Sequence, residues 1–367
     1  MNRKPWFLAV GMLFACLTIT GCKNEPTADF SADVTSGRMP LTVQFTDLST
    51  PGASPITGWH WIFGDGEEST VQNPSHVYTW DDTFNVSLEI TTAAGNHTEL
   101  KLNFITVTPP DAGTVETVML PGDVPLEMLW IPAGAFAMGS PDYEQDRSAN
   151  EGPRHDVTFV SGFWMAKYEL TKRQWLAVMG TLPWAGQPFI QVYPESPAVY
   201  VSWNDAQDFV GAINVLTDKN FRLPAEAEWE YACRAGETAR FYYGDDPSYA
   251  YLGNHAWWDG NANSAGQQYA HVVGLKEPNA WGLYDMAGNV WELCEDDWHG
   301  NYTGAPAYGY AWVDDPRGLN RVARGGSWVI QGAAARSATR SSNTLDYAHS
   351  SIGFRLVSQV PIRRLAR

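Results

Sequence analysis

Cysteine is scarce in this sequence, with four residues at positions 16, 22, 233 and 294. That excludes a dense disulfide framework, and beyond position 294 the chain has no thiol at all. Positive charge is also short: 41 Asp and Glu stand against 24 Lys and Arg, a formal charge of −17 at pH 7. This balance argues against nucleic acid and anionic lipid headgroups as partners. The eight histidines, at 60, 76, 97, 155, 255, 271, 299 and 349, include no pair at the i, i+4 spacing of a helical metal site. The apolar run from Trp6 to Ile19 is too short and wrongly flanked for a stable membrane span. What is plentiful is Trp (17), Gly (33) and Pro (23), a composition for loop-rich chain with aromatic packing rather than a helical bundle.

The N-terminus reads as a targeting segment. Arg3 and Lys4 precede the apolar run, which ends in Ile19-Thr20-Gly21-Cys22. This resembles a bacterial lipoprotein signal spanning residues 1–22, which implies that Cys22 is acylated and ties the protein to a membrane of the cell envelope. Lys23 follows, where an Asp would signal retention at the inner membrane, so the outer membrane is expected. Cys16 leaves with the signal and Cys22 takes the lipid. Cys233 and Cys294 remain, either as a disulfide or as two separate buried thiols, and their spacing does not choose.

Residues 28–108 carry three stripes of period two, the mark of half-buried strands. They are Leu41, Val43 and Phe45; Trp59, Trp61 and Phe63; and Phe84, Val86, Leu88 and Ile90. Gly64-Asp65-Gly66 is a hairpin-turn signal. Many short strands in about 80 residues make a sandwich. Trp59-His60-Trp61-Ile62-Phe63-Gly64-Asp65-Gly66 and Asn73-Pro74-Ser75-His76-Val77-Tyr78 resemble the polycystic-kidney-disease (PKD) repeat. The resemblance implies an all-β immunoglobulin-like sandwich acting as spacer or adhesion module, with His76 packed rather than ligating. Residues 109–114 are a linker stiffened by paired proline.

Residues 115–360 mix strands, helices and long irregular stretches, an α+β reading. Thr171 with Gln174 forms a capping box for a helix through Met179. Ser202 with Asp205 opens a second helix whose buried face is Trp203, Ala206, Phe209, Val210 and Ile213. A third runs from Glu226 to about Arg234, stopping before Gly236. Residues 128–139, Lys167 to Thr171, Pro197 to Trp203, Arg222 to Ala232, Trp281 to Glu292, Arg324-Gly325-Gly326-Ser327-Trp328 and Ile352-Gly353-Phe354-Arg355 occur in order. Together they resemble the formylglycine-generating, sulfatase-modifying family, which implies a loop-rich C-type-lectin-like fold. Ala225 departs from the family's usual Thr at the cap of the third helix.

The resemblance also sets an expectation about chemistry. Oxidase members of the family hold Cu(I) between two cysteines, the first of them three residues after the Ser of Gly-Gly-Ser. Here Ile330 stands in that place, and Gln331 to Ala335 is a shortened segment without Cys. An alkyl side chain offers no soft ligand, so copper and formylglycine formation are not expected. Iron stays open, although the iron-dependent relatives carry their ligands in a helical domain that has no counterpart here. Calcium is expected from Asp285, Gly288, Val290 and Glu292, with carboxylates at the ends and backbone carbonyls between. A looser match places a second calcium at Asn254, His255, Asn263 and Ala265. Trp291, Ser327, Trp328 and Arg336 are the candidates to line a ligand pocket, and Trp257, Trp258 and Trp312 are candidates to stack on sugars or peptide, with core packing the fate expected of most of the 17 Trp. The expected function is a non-catalytic, lipid-anchored module binding a protein or glycan. The rivals are an oxidoreductase with an altered site and a sulfatase-maturation accessory that binds substrate peptide.

Overall fold

The computed structural model describes residues 25–217 and 219–359; the signal segment and Cys22 lie outside them. In sequence the chain divides into two units near residues 107 and 108.

The first unit has eight strands: β1 (Phe30–Ala32), β2 (Ser36–Arg38), β3 (Leu41–Asp47), β4 (Ile56–Ile62), β5 (Glu68–Ser69), β6 (Ser75–Tyr78), β7 (Asp82–Thr92) and β8 (Gly95–Thr108). They form a sheet in the order β1-β3-β6 and another in the order β2-β8-β7-β4-β5. The stripes point inward: Val43, Phe45, Trp61, Phe63, Phe84, Val86, Leu88 and Ile90 are buried. Gly64 adopts φ of 88°, and a Cβ there would lie 2.3 Å from the Asn85 carbonyl oxygen, so the turn between β4 and β5 admits no side chain at that point. His76 stacks on Phe63 at 4.1 Å and places Nε2 2.6 Å from Asp65, a packed and paired histidine.

The second unit continues with β9 (Val115–Leu120), β10 (Val124–Ile131), β11 (Gly134–Met138), β12 (His155–Phe159), β13 (Phe163–Ala166), α1 (Lys172–Met179), α2 (Trp203–Thr217), β14 (Phe221–Arg222), α3 (Glu226–Arg234), α4 (Leu252–His255), β15 (Trp291–Asp297), β16 (Asn320–Arg324), β17 (Arg340–Thr344), β18 (Ile352–Gly353) and β19 (Val357–Gln359). Its sheets run β14-β19-β13-β10-β9, β17-β16-β15-β18 and β11-β12. Both expected capping pairs form. The Gln174 N–H donates to Thr171 Oγ1 at 3.2 Å while the Thr171 N–H donates to Gln174 Oε1 at 3.0 Å, and Ser202 and Asp205 exchange the equivalent bonds. The five residues expected on the inner face of α2 are the ones buried there. At α3, Glu228 reaches back to the Ala225 N–H at 2.8 Å. Ala225 offers no side-chain cap, and Asp296 of β15 satisfies a different free donor of the first turn, its Oδ2 taking the Glu226 N–H at 2.6 Å. Between α3 and β15 the chain is mostly turns. It is held by buried side chains rather than by a repeating ladder, which is why no periodicity marks it.

Candidate functional site

The motif Lys167 to Thr171 carries the chain from β13 into α1 and buries one acid, Glu169. Its Oε2 accepts from Asn289 Nδ2 at 2.6 Å and its Oε1 from the Val290 N–H at 3.1 Å. The segment it holds runs left-handed at three places, with φ of 57° at Asp285, 78° at Gly288 and 59° at Asn289. A Cβ on Gly288 would sit 2.1 Å from the Trp257 carbonyl oxygen, so this close approach needs glycine. From the far end of the domain Arg355 enters the same centre. Nε donates to Glu292 Oε2 at 2.6 Å and Nη2 to Oε1 at 2.7 Å, and Trp229 Nε1 adds a bond to Oε2 at 2.8 Å. The remaining Arg355 donors meet the carbonyls of Ala166 and Tyr284.

Three buried carboxylates, Glu169, Asp285 and Glu292, lie within the field of one guanidinium, which pairs directly with Glu292. Burial, followed by the charges of Asp285 and Glu292, holds Glu169 well above the usual carboxylate range. Burial pushes Asp285 up to about 6, against a hydrogen bond from the Gly274 N–H to Oδ2 and the pull of Arg355. Its other oxygen, Oδ1, is buried without a partner. An orphaned carboxylate oxygen in an acid-rich centre suits a hard cation or a proton.

The expected roles of the first calcium set change accordingly. Asp285 fits a cation. Glu292 does not fit as a bidentate ligand, because both of its oxygens are already engaged by Arg355 and one of them also by Trp229. In the second set the His255 carbonyl accepts from the Tyr242 hydroxyl at 3.0 Å and Asn263 Oδ1 accepts from Gln268 at 3.1 Å. The Asn254 carbonyl takes the Glu277 N–H, and Ala265 lies exposed in the following turn. Of this set, the His255 carbonyl and Asn263 Oδ1 are therefore already turned to protein partners. Among the described residues, no group of three or more His, Cys, Asp or Glu is arranged to hold a metal.

The Gly-Gly-Ser segment follows β16. Gly325 and Gly326 take φ of 93° and 83°. Ser327 is fully buried and its Oγ has no partner. Trp328 is buried, with its main-chain N–H on the Asn289 carbonyl and its indole N–H on that of Ser350; Trp291 is half-buried. Ile330 packs into an apolar cluster that includes Trp258. Arg336 differs from the expectation that it lines a pocket. All five of its N–H groups are used, on Glu144, Glu151 (twice) and the carbonyls of Ala333 and Asp146. No donor remains for a ligand.

The disulfide alternative is also set aside, since Cys233 and Cys294 are free and buried. Burial pushes the Cys233 thiol up to about 12 and raises that of Cys294 well above its ordinary value. Each is in contact with a carbonyl oxygen, Cys233 with that of Met286 and Cys294 with that of Glu292.

Three residues of this centre were not singled out as site residues from sequence: Glu169, Asn289 and Arg355. The available signal was an acid set between Tyr168 and Leu170 at the end of a strand, where a solvated Glu is out of place.

Comparison with known proteins agrees with this architecture. Residues 23–107 match the PKD domain, and residues 118–360 match the Sulfatase-modifying factor enzyme 1-like domain. The formylglycine-generating enzyme of Thermomonospora curvata is 30% identical over 300 residues, covering 64% of this chain and 94% of that protein. The bovine inactive C-alpha-formylglycine-generating enzyme 2 is 35% identical over 173 residues, 45% of this chain and 50% of that protein. The solved structure of PvdO from Pseudomonas aeruginosa aligns with a TM-score of 0.61 at 35% identity, covering 68% of this chain and 99% of PvdO. With the match running through well over half of its length, the chain belongs to the sulfatase-modifying factor enzyme 1-like family and carries a PKD domain ahead of that region.

Proposed function

We propose that this protein is a lipid-anchored component of the cell envelope whose sulfatase-modifying-type domain binds or scaffolds a partner and performs no oxidation of its own. The observation that carries the reading is the state of its sulfur. Copper-dependent oxidation of a thiol needs thiolates at the reaction centre. Ile330 occupies the place of the first of these, and the two thiols left in the domain are buried and held protonated. A relative whose name marks it as inactive, the bovine protein above, supports the same direction.

In this reading the PKD sandwich acts as a spacer and Cys22 as the anchor. Where a calcium ion is held, Asp285 is the side chain for it, with the Gly288 and Val290 carbonyls in the roles the family resemblance implies. Glu292 neutralises Arg355 instead. Calcium would supply charge balance to the buried acids and rigidity to the left-handed turn.

Titration of the signal-processed protein with Cu(I) under argon tests the reading. The expected result is no thiolate-to-copper absorption and no copper retained after dialysis against a weak chelator. One tightly held copper per chain would overturn it. The anchor is tested separately: Cys22→Ala should release the protein from the membrane fraction or leave it unprocessed, and unchanged fractionation with normal cleavage would remove the lipid from the account.

A further inference from the structure

The outer face of the ladder built on β11 and β12 lies open, with exposed side chains from three neighbouring segments. β12 alternates strictly: Val157 and Phe159 are buried, whereas Asp156 and Thr158, with Val160 just beyond, are exposed. On one side β11 pairs antiparallel, setting Ala137 opposite Asp156 and Ala135 opposite Thr158. On the other side the irregular loop after β15 adds a parallel bridge, Thr158 to Tyr308. Its bonds run from the Thr158 N–H to the Ala307 carbonyl at 2.9 Å and from the Gly309 N–H to the Thr158 carbonyl at 3.3 Å.

Residues paired across strands project from the same face. The outer face therefore carries two small alanines, then Asp156 and Thr158, then Tyr308. The alanines and Thr158 make a low floor, and the tyrosine stands along its edge. Tyr310 follows two residues on in the chain, and Val160 comes directly after β12. Tyr308, Tyr310 and Val160 are 55%, 65% and 74% exposed, which is high for large apolar side chains gathered at one place.

The mount is rigid. Tyr308 and Tyr310 flank a tight turn closed by the Tyr310 N–H on the Tyr308 carbonyl at 2.8 Å. Gly309 at its centre lies flat on the ring of Phe159, and a Cβ there would come within 1.9 Å of Phe159 Cε1. Phe159 is itself stacked on Tyr231 at 4.6 Å. The backbone that carries the two exposed tyrosines is thus held against the core instead of forming a free loop, which lowers the ordering cost of binding.

The charges narrow the ligand class. From His299 to Pro316 there is no Lys or Arg, while Asp156 lies on the face and Asp314 and Asp315 close the loop. Arg154, exposed two residues before Asp156, offsets that acid, and Asp314 is paired with His299, so the face carries little net charge and offers an anionic ligand no cluster of cations. It suits a molecule with a flat apolar C–H face for the tyrosines and hydroxyl donors for Asp156 and Thr158. We propose that this face, with Tyr308 and Tyr310 as the stacking edge and Asp156 and Thr158 as hydrogen-bonding groups, is a binding site for a neutral glycan. The proposal names the ligand class for the non-catalytic reading above and rests on it.

The test uses the full signal-processed chain with chitohexaose, maltohexaose and mannohexaose as neutral probes and dextran sulfate as the anionic one, read by saturation-transfer NMR and calorimetry. At least one neutral probe should bind, with affinity unchanged between about 0.1 M and about 1 M salt. The double variant Tyr308→Ala/Tyr310→Ala should weaken that binding about ten-fold or more while its melting temperature stays that of the wild type. Gly309→Ala should weaken it as well by lifting the turn off Phe159. Overturning results are no binding of any neutral probe, binding of dextran sulfate alone, or neutral binding that the double variant leaves intact. A dimer in sedimentation equilibrium that the double variant dissociates would assign the face to a second copy of the chain and also overturn the proposal. A protein that fails here yet retains no copper keeps the non-catalytic reading and loses only the glycan.

Discussion

Arg355 lies against Glu292 in a two-pronged ion pair, Nε to Oε2 at 2.6 Å and Nη2 to Oε1 at 2.7 Å, with both side chains closed off from solvent. It ties β15 to the segment leading into β19 and is the only direct ion pair of either residue among the described contacts. Breaking one partner of a buried pair leaves an uncompensated charge, at a cost of about 3–5 kcal/mol. Arg355→Met and Glu292→Gln should each destabilise by that order in urea unfolding, and the double variant should lose much less than their sum. Additive, sub-kilocalorie effects would mean that the pair is not formed.

The same pair separates two roles in the acid cluster. If Asp285 holds calcium, chelator should lower the melting temperature of the wild type, because a ligand bound only to the folded state stabilises by mass action. Asp285→Asn should then melt at the same temperature with and without chelator. Glu292→Gln should start lower and still respond. A Glu292→Gln variant that no longer responds would make Glu292 a ligand after all, and an unresponsive wild type would remove calcium from Asp285.

Asp296 gives a pH signature. Burial, then the charge of Glu226, pushes its carboxyl up to about 8, although Oδ1 and Oδ2 accept the N–H groups of Trp312 and Glu226. An unfolded Asp titrates near about 3.9. The folded state therefore binds this proton more tightly, and the resulting stabilisation is fully present below about 4 and lost as pH rises through about 8. Melting temperature should fall between about pH 4 and about pH 8 and level off above, and Asp296→Asn should flatten that slope from a lower starting stability. Equal slopes in the two proteins would contradict the assignment.

The two remaining thiols provide a chemical check. Cys233 and Cys294 are buried and protonated, so iodoacetamide at neutral pH should leave both unmodified in the native protein and label both after unfolding without reductant. A crosslinked peptide under those conditions would restore the disulfide.

Much of the fold was legible in sequence because its signals are local. The stripes ending in Phe45, Phe63 and Ile90 point inward as period two requires, and the Thr171/Gln174 and Ser202/Asp205 pairs open the helices they mark. The misreadings share a different cause. Glu292 looked like a metal ligand because its partner Arg355 is 63 residues away, and Arg336 looked available because Glu144 and Glu151 lie in an acidic loop far upstream. The first-turn N–H of Glu226 finds its acceptor in Asp296, 70 residues on, and nothing local announces it. The chemistry of a buried charge is set by whatever meets it in space, and one sequence gives no access to those meetings.

The domain has the fold of the sulfatase-modifying family, and we propose that it works without the oxidation chemistry. The most direct measurement is to incubate the signal-processed protein with a Cys-x-Pro-x-Arg peptide, Cu(I), O₂ and a thiol reductant, and to read the peptide mass. The account predicts an unchanged peptide, and an unchanged peptide again with Ile330→Cys, because one restored thiolate does not make a two-sulfur copper site. A product whose mass shows the thiol sulfur lost and an aldehyde formed, generated by the unmodified protein, would contradict the account and make this chain an oxidase.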